Sequence, residues 1–319
     1  MHQCIRPALG VAALLALSSL PAHAQELQGH RGARGLLPEN TLPAFERAIE
    51  LGVDVLELDT GVSRDGVVVV SHDRRLSPHL ARDADGQWIS PPGPLLHEPT
   101  MAELLTYDVG RARPGSRLAK RFPGQEPRDR VRMPALAQVL ALGTAPGNGQ
   151  LRFNIETKLS PLAPDETPEP QAFARAVVDT IRASAITDAR FTVQSFDWRT
   201  LAAVNAMAPG IATVCLTAER SWLNNVQRGQ AGPSPWTAGH DIDEHGSVPK
   251  LVKAAGCAVW SPYHRDLNGQ ALREAHELGL KVVVWTVNEA ADMRALTDLG
   301  VDGIITDYPD RAREALGRE

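Results

Sequence analysis

Cysteine is scarce in this chain, with three in 319 residues. Cys4 lies in the N-terminal stretch, so Cys215 and Cys257 are the pair that matters for the fold. Both fall at strand positions that read as buried. They are expected to be free core thiols, although an exported protein could bridge them. Aromatic residues are also few, with six Trp and six Phe. That argues against a broad apolar surface for docking on lipid. Long apolar runs are missing except for Ala8 to Leu20, which is too short to span a bilayer comfortably. Charge of one sign is not in excess. The formal net charge is −5 and one unit more negative without Arg6, and nothing in that balance calls for nucleic acid. No G-x-G-x-x-G follows a strand, which removes the usual dinucleotide-binding signal.

Residues 1–24 read as a signal peptide. One basic residue precedes the apolar run, and Ala22-His23-Ala24 supplies a small-x-small cleavage site. Cys4 precedes the apolar run, so no lipoprotein anchor is expected. The mature chain is expected to begin at Gln25, to carry no stable membrane anchor and to be exported, with the periplasm as its setting. Residues 25–319 exceed the commonest domain size and suit one α/β barrel.

The pattern from Leu27 onward alternates. Asn40 is expected to cap a first helix over TLPAFERAIELG, with Pro43 tolerated in its first turn. Strands are read over 53–60, up to His72, and over 151–158, 190–196, 211–217, 257–261, 281–287 and 301–306. Helices are read over 134–142, 170–185, 198–207, 247–255, 269–278, 289–299 and 309–317. Irregular insertions fill 74–133 and 219–246. About eight strand–helix alternations with near-continuous apolar strands predict parallel strands covered by helices. The expected fold is a closed (β/α)8 TIM barrel, with its insertions in the loops at the catalytic face.

The polar residues gather at strand ends. In VDVLELDTG the period of two places Glu57 and Asp59 on one face. In FNIETK it does the same for Glu156 and Lys158. Two carboxylates on one face repel, and a cation offsets that cost. Glu57, Asp59 and Glu156 offer three carboxylate donors and no sulfur, which suits one hard divalent cation, Ca²⁺ or Mg²⁺. His30 and His72 also end strands, as do Gln194 and Trp285. Barrel chemistry sits at the C-terminal ends of strands, so these residues are expected to share one site. Histidine titrates near neutral pH, so His30 and His72 are read as a pair for proton transfer. Asp307 also ends a strand, where it could join the site or simply cap the last helix.

Four pieces in order carry a resemblance: His30-Arg31-Gly32, Pro38-Glu39-Asn40-Thr41, Gly52 to Asp59, and Asp65-Gly66 to His72-Asp73. They resemble the glycerophosphodiester phosphodiesterases, and the likeness continues nearly to the end of the chain. It implies the same barrel, and hydrolysis of glycerophosphodiesters to sn-glycerol 3-phosphate and an alcohol. It implies that His30 and His72 are the acid–base pair, without saying which is which. It places Gln194 and Trp285 at substrate-site positions and Glu156-x-Lys158 at a family motif. A phosphodiester is an anion. Arg31 would grip it through its planar fork and Lys158 as a point charge. Two other readings stand beside this one: a sphingomyelinase D-like phospholipase on the same barrel, and a non-catalytic ligand-binding barrel. Residues 111–132 hold eight Arg or Lys against two acids and read as a solvated loop, with a basic flap over an anionic substrate as the alternative. The second insertion carries Trp222, Trp236, His240 and His245, and could select the alcohol.

Overall fold

The computed structural model describes residues 25–318. The expected signal peptide, residues 1–24, lies outside the described residues. Eleven strands are described: β1 (Glu26–Gly29), β2 (Val55–Val62), β3 (Val68–Val70), β4 (Arg152–Thr157), β5 (Phe191–Ser195), β6 (Ala212–Thr217), β7 (Glu219–Arg220), β8 (Leu223–Asn224), β9 (Val259–Pro262), β10 (Lys281–Val284) and β11 (Gly303–Thr306). Eight of them run parallel in the order β1, β11, β10, β9, β6, β5, β4, β2, and β1 also pairs with β2. The sheet is therefore closed, and the barrel expected from the alternation is what forms. No helix among the described residues is long and apolar enough to cross a membrane.

Three strands depart from the sequence pattern. The strand ending at His72 is not a stave of the barrel. β3 folds back antiparallel along the end of β2, pairing Val70 with Thr60 and Val68 with Val62. Ser71 N then donates to the Asp59 carbonyl at 3.0 Å, which returns His72 to the barrel mouth. β7 and β8 form a small hairpin outside the barrel.

Alternation along the staves sorts the side chains. Leu56 and Leu58 of β2, Phe153 and Ile155 of β4 and Val193 of β5 face outward and are buried under the helices. Phe153 and Phe191 stack at 5.5 Å between ring centroids. Inside, one half is apolar, with Val214, Val259, Val283 and Ile305 meeting as a small cluster. The other half is polar. There Asn154 donates to both Gln28 and Gln194 at 2.9 Å.

Helix Leu42–Glu50 buries Ala44, Phe45 and Ala48, one apolar stripe at helical spacing. Its cap is Thr41, whose side chain accepts from Ala44 N, and not Asn40 as the sequence reading had it. Asn40 has φ 57° and turns its amide into the barrel mouth instead.

The cysteine expectation is corrected. Cys215 and Cys257 form a disulfide, with their Cα atoms 5.9 Å apart. Cys215 lies in β6 and Cys257 two residues ahead of β9, and these strands are neighbours in the sheet. Burial led to the free-thiol reading. Nothing local in the sequence shows that two buried cysteines 42 residues apart sit on adjacent staves.

Candidate active site

A cavity of about 1100 Å³ opens at the C-terminal ends of the strands. His30, Arg31, Glu57, His72, Glu156, Lys158, Gln194 and Trp285 all line it. Asp59 lies directly behind, fully buried. The nine expected site residues are therefore brought together.

The turn after β1 aims the first of them. Arg31 and Gly32 both have positive φ, and Gly32 N bonds back to the Gly29 carbonyl at 3.1 Å. A Cβ on Gly32 would lie 2.6 Å from the backbone of Ala44, so only glycine fits there. This turn points Arg31 N at Glu57 Oε2, 2.9 Å away. Arg31 Nη1 donates to Glu39 Oε1 at 2.7 Å, and Nε lies 2.9 Å from Asp59 Oδ2.

The three carboxylates occupy one nest. Each of Glu57, Asp59 and Glu156 can present an oxygen within 4.8 Å of the others, and all three are buried. No other group of this kind occurs among the described residues, so the His240–His245 segment is not a second one. Glu57 is held at both oxygens, by Gln194 Nε2 at 2.7 Å and by Arg31 N. Asp59 Oδ2 accepts from Asn40 Nδ2 at 2.9 Å. Asp59 Oδ1 is buried and accepts no hydrogen bond, with only Lys158 Nζ near it at 3.5 Å. Lys158 donates instead to Glu156 Oε1 at 2.7 Å.

A buried carboxylate oxygen without a donor is costly unless something cationic meets it. The nest therefore fits a divalent cation, on its donor chemistry and on this orphaned oxygen. Proton affinities agree. Burial, then the charges of Asp59 and Glu156, hold the Glu57 carboxyl well above the usual carboxylate range. Burial pushes Glu156 up to about 7, against the pull of Lys158. For Asp59 burial acts upward too, but Arg31 and Lys158 outweigh it and keep the group ionised.

The two histidines face this nest. His30 Nδ1 lies 2.6 Å from Asp307 Oδ1, and its Nε2 lies 3.9 Å from Glu57 Oε2. Burial lowers its proton affinity, with Asp307 opposing. His72 Nδ1 meets Asp73 Oδ1 at 2.8 Å. Burial and the charges of Arg31 and Lys158 push His72 down to about 4.

Gln194 and Trp285 play different structural parts. The Gln194 amide is taken up between Asn154 and Glu57, and only 1% of the residue is exposed. Trp285 turns its ring to the cavity and packs with Phe196, Trp222 and Tyr263 at centroid distances of 5.3 to 6.1 Å.

Several site residues escaped the sequence reading. Asp307 does not cap the last helix, whose cap position is Tyr308. It holds His30 and is itself held by Asn288 Nδ2 at 2.7 Å. Glu39 joins Arg31 to Arg34, whose Nε donates to it at 2.5 Å. Glu39 and Asn40 stood in a recognised motif, which was the available signal. For Asp307 the signal was its strand-end position. The 111–132 stretch is also more than a solvated loop, since Arg117 and Arg121 line the cavity.

A (β/α)8 barrel whose strand ends gather three carboxylates, two histidines and a lysine defines a barrel enzyme with a site compatible with a divalent metal. Residues 30–311 match the model of the glycerophosphoryl diester phosphodiesterase family, and the chain belongs to that family as a phosphoric diester hydrolase. It is 27% identical over 286 residues to a glycerophosphodiester phosphodiesterase of Bacillus subtilis (strain 168), covering 88% of this chain and 83% of that protein. A solved structure from Silicibacter pomeroyi DSS-3, described as a candidate glycerophosphoryl diester phosphodiesterase, superposes with a TM-score of 0.81 at 32% identity, covering 93% and 94% of the two chains. An Oleispira antarctica phosphodiesterase, solved with the product sn-glycerol-3-phosphate, has the same fold, with a TM-score of 0.65 at 21% identity and coverage of 92% and 96%.

Proposed function

We propose that the protein hydrolyses glycerophosphodiesters to sn-glycerol 3-phosphate and a free alcohol, with one divalent cation, Ca²⁺ or Mg²⁺, held by Glu57, Asp59 and Glu156. The observation that carries this is the nest of three buried carboxylates with an orphaned oxygen between two histidines. The product bound to the Oleispira relative supports it. A cation in the nest would offset the charge of the phosphoryl oxygens and make the acidic pocket attractive to an anion.

The protein's own groups do the rest. Arg31 has Nη1 committed to Glu39, and its Nε lies 2.9 Å from Asp59 without a hydrogen bond, so Nη2 is the guanidinium nitrogen offered to a phosphoryl oxygen. Lys158 adds a point charge from the other side of Glu156. Gln194 keeps Glu57 aimed, and Trp285 gives the substrate an apolar wall. His30 and His72 divide the proton work. One takes the proton of the attacking oxygen as the new P–O bond forms, and the other gives a proton to the alcohol oxygen as the old P–O bond breaks. Asp307 and Asp73 each hold a ring at Nδ1, which leaves Nε2 of each for the reaction. Both rings have a lowered proton affinity in the free site, and a bound phosphodiester anion raises it again.

Residues 1–24 act in this reading as an export signal that delivers the chain from Gln25 onward to the periplasm. β1 begins at Glu26, one residue beyond the proposed cleavage point. The disulfide also supports an oxidising compartment. The test is a panel of glycerophosphodiesters with and without EDTA, together with the intact mass of protein from the periplasmic fraction. Turnover that EDTA abolishes and Ca²⁺ or Mg²⁺ restores is expected. Full activity in excess chelator would overturn the metal assignment, and Met1 on the periplasmic protein would overturn the export assignment.

A further inference from the structure

The cations around the cavity are unequally matched. Arg31 and Arg34 share Glu39, Arg74 and Arg75 share Glu166, and Lys158 has Glu156. Arg117 forms no ion pair among the described residues. Arg121 has only Asp307 Oδ2, at 3.7 Å, and that oxygen already accepts from Asn288. Both arginines line the cavity. They stand four residues apart on helix Arg117–Arg121, so they share one face of it.

This helix is fixed over the His30 side of the mouth. Phe122, which follows it, is buried and lies beneath the Arg34 and Arg121 guanidinium groups, 4.8 and 5.3 Å from its ring centroid. Gln125 Nε2 donates to the carbonyls of Arg34 and Leu37, and Glu126 N to that of Leu36. The segment is thus docked on the turn after β1. It carries one unpaired guanidinium group, Arg117, and one loosely paired one, Arg121, to the rim, beside the Asp307 carboxylate that holds His30. Burial and the charges of Arg34 and Arg31 disfavour the Arg121 charge there, against the pull of Asp307.

We propose that Arg117 and Arg121 form a subsite for a second anionic group, a phosphate or carboxylate on the alcohol half of the diester. The inference rests on the glycerophosphodiesterase reading and names the alcohol that reading leaves open. Glycerol carries no charge of its own, so the second anion belongs to the alcohol. A guanidinium fork is the group best suited to hold it.

The test compares kcat/KM on three diesters of sn-glycerol 3-phosphate: with glycerol, with choline, and with glycerol phosphate. A serine diester is added as the carboxylate arm. Wild type is compared with Arg121→Gln, with Arg117→Gln, and with Lys120→Gln, a charge control on the same helix that does not line the cavity. The preference for the anionic diesters over the glycerol diester should fall roughly tenfold in each arginine variant, as expected for one charge-assisted hydrogen bond. The Lys120 variant should keep it. Loss confined to one anionic arm identifies the anion as phosphate or carboxylate. An equal loss on every diester would place these arginines on the scissile phosphate and overturn the proposal, and so would an unchanged preference. A wild-type enzyme inactive on all four diesters would instead overturn the reading beneath it. The substituted positions are exposed, and an unchanged thermal midpoint confirms the fold.

Discussion

The two halves of the barrel mouth are built on opposite principles. From β11 through β1 and β2 to β4, the strand ends carry Asp307, His30, Arg31, Glu57, Asp59, Glu156 and Lys158, nearly all buried. From β5 through β6 and β9 to β10, they carry Phe196, Leu216, Tyr263 and Trp285. The interior below is also divided, with the boundary shifted by one stave: Gln28, Asn154 and Gln194 of β1, β4 and β5 lie on one side, and Val214, Val259, Val283 and Ile305 of β6, β9, β10 and β11 on the other. The ionic half is electrostatically strained. Two of its carboxylates hold protons far more readily than free carboxylates do, and one oxygen has no donor. The aromatic half is at ease, because packing satisfies it. In the proposed mechanism the chemistry belongs to the strained half, and the other half shapes the space beside it.

The sharpest way to break that comparison is to remove a nest carboxylate. Glu57→Ala deletes a proposed cation ligand and leaves Gln194 and Arg31 N without their acceptor. Loss of measurable turnover is expected, with no rescue at ordinary Ca²⁺ or Mg²⁺ concentrations. A folded Glu57→Ala enzyme that binds the cation normally by titration calorimetry would show that the nest is not the metal site.

The histidines come next. Positioned acid–base groups contribute roughly 10²–10⁴-fold. His30→Ala and His72→Ala should each lower kcat by about that factor, with KM changed far less. The double variant should lose less than the product, because the pair serves one reaction. A nitrophenyl leaving group needs no proton on departure, so it should restore turnover to the variant that lost the acid and not to the other. Near wild-type kcat in either folded, metal-loaded variant would remove that histidine from the mechanism.

How much of this was legible beforehand depends on the range of each contact. Period-two alternation was enough to pair Glu57 with Asp59 and Glu156 with Lys158, because a strand fixes both faces locally. Repetition of strands and helices was enough for the barrel. What stayed hidden was either long-range or ambiguous in residue type. Asp307 touches His30 across 277 residues, and a short acid before a helix also reads as a cap. Asn40 was assigned to the same capping role. Its positive φ, which decides otherwise, is not written in its identity. The reversal of β3 and the Cys215–Cys257 bond depend on which staves become neighbours.

A smaller effect tests the strain itself. Glu57 and Glu156 hold protons above the unfolded carboxylate value of 4.5, Glu156 up to about 7. Between those values the native state binds more protons than the unfolded chain, so these two groups lower stability as pH rises. The lowered affinities of His30 and His72 act oppositely, since native histidines bind fewer protons there. The difference between cation-loaded and chelated protein weights the carboxylates most, because a cation must displace their protons. The thermal shift given by Ca²⁺ or Mg²⁺ should therefore grow from pH 5 to pH 7.5. Glu156→Gln should flatten that dependence. A shift that shrinks with pH would mean that the carboxylates are not the ligands.

The smallest effect belongs to the aromatic half, at Trp222. Its ring meets Tyr263 and Trp285 edge-on, at 5.4 and 6.1 Å, and 59% of the residue is exposed. Aromatic pairs add roughly 0.5–1.5 kcal/mol beyond burial, and exposure puts this one at the low end. Trp222→Ala should therefore cost about 1 kcal/mol or less in denaturant unfolding. Trp285 keeps its place through Nε1 donating to the Ser261 carbonyl at 2.9 Å, so the wall behind Trp222 stays standing. With no charge and no reacting atom involved, kcat should stay within about threefold of wild type, the change falling on KM as expected when only uniform binding is lost. If kcat instead falls as far as in the histidine variants, the aromatic half takes part in the chemical step, and the division between the two halves does not hold.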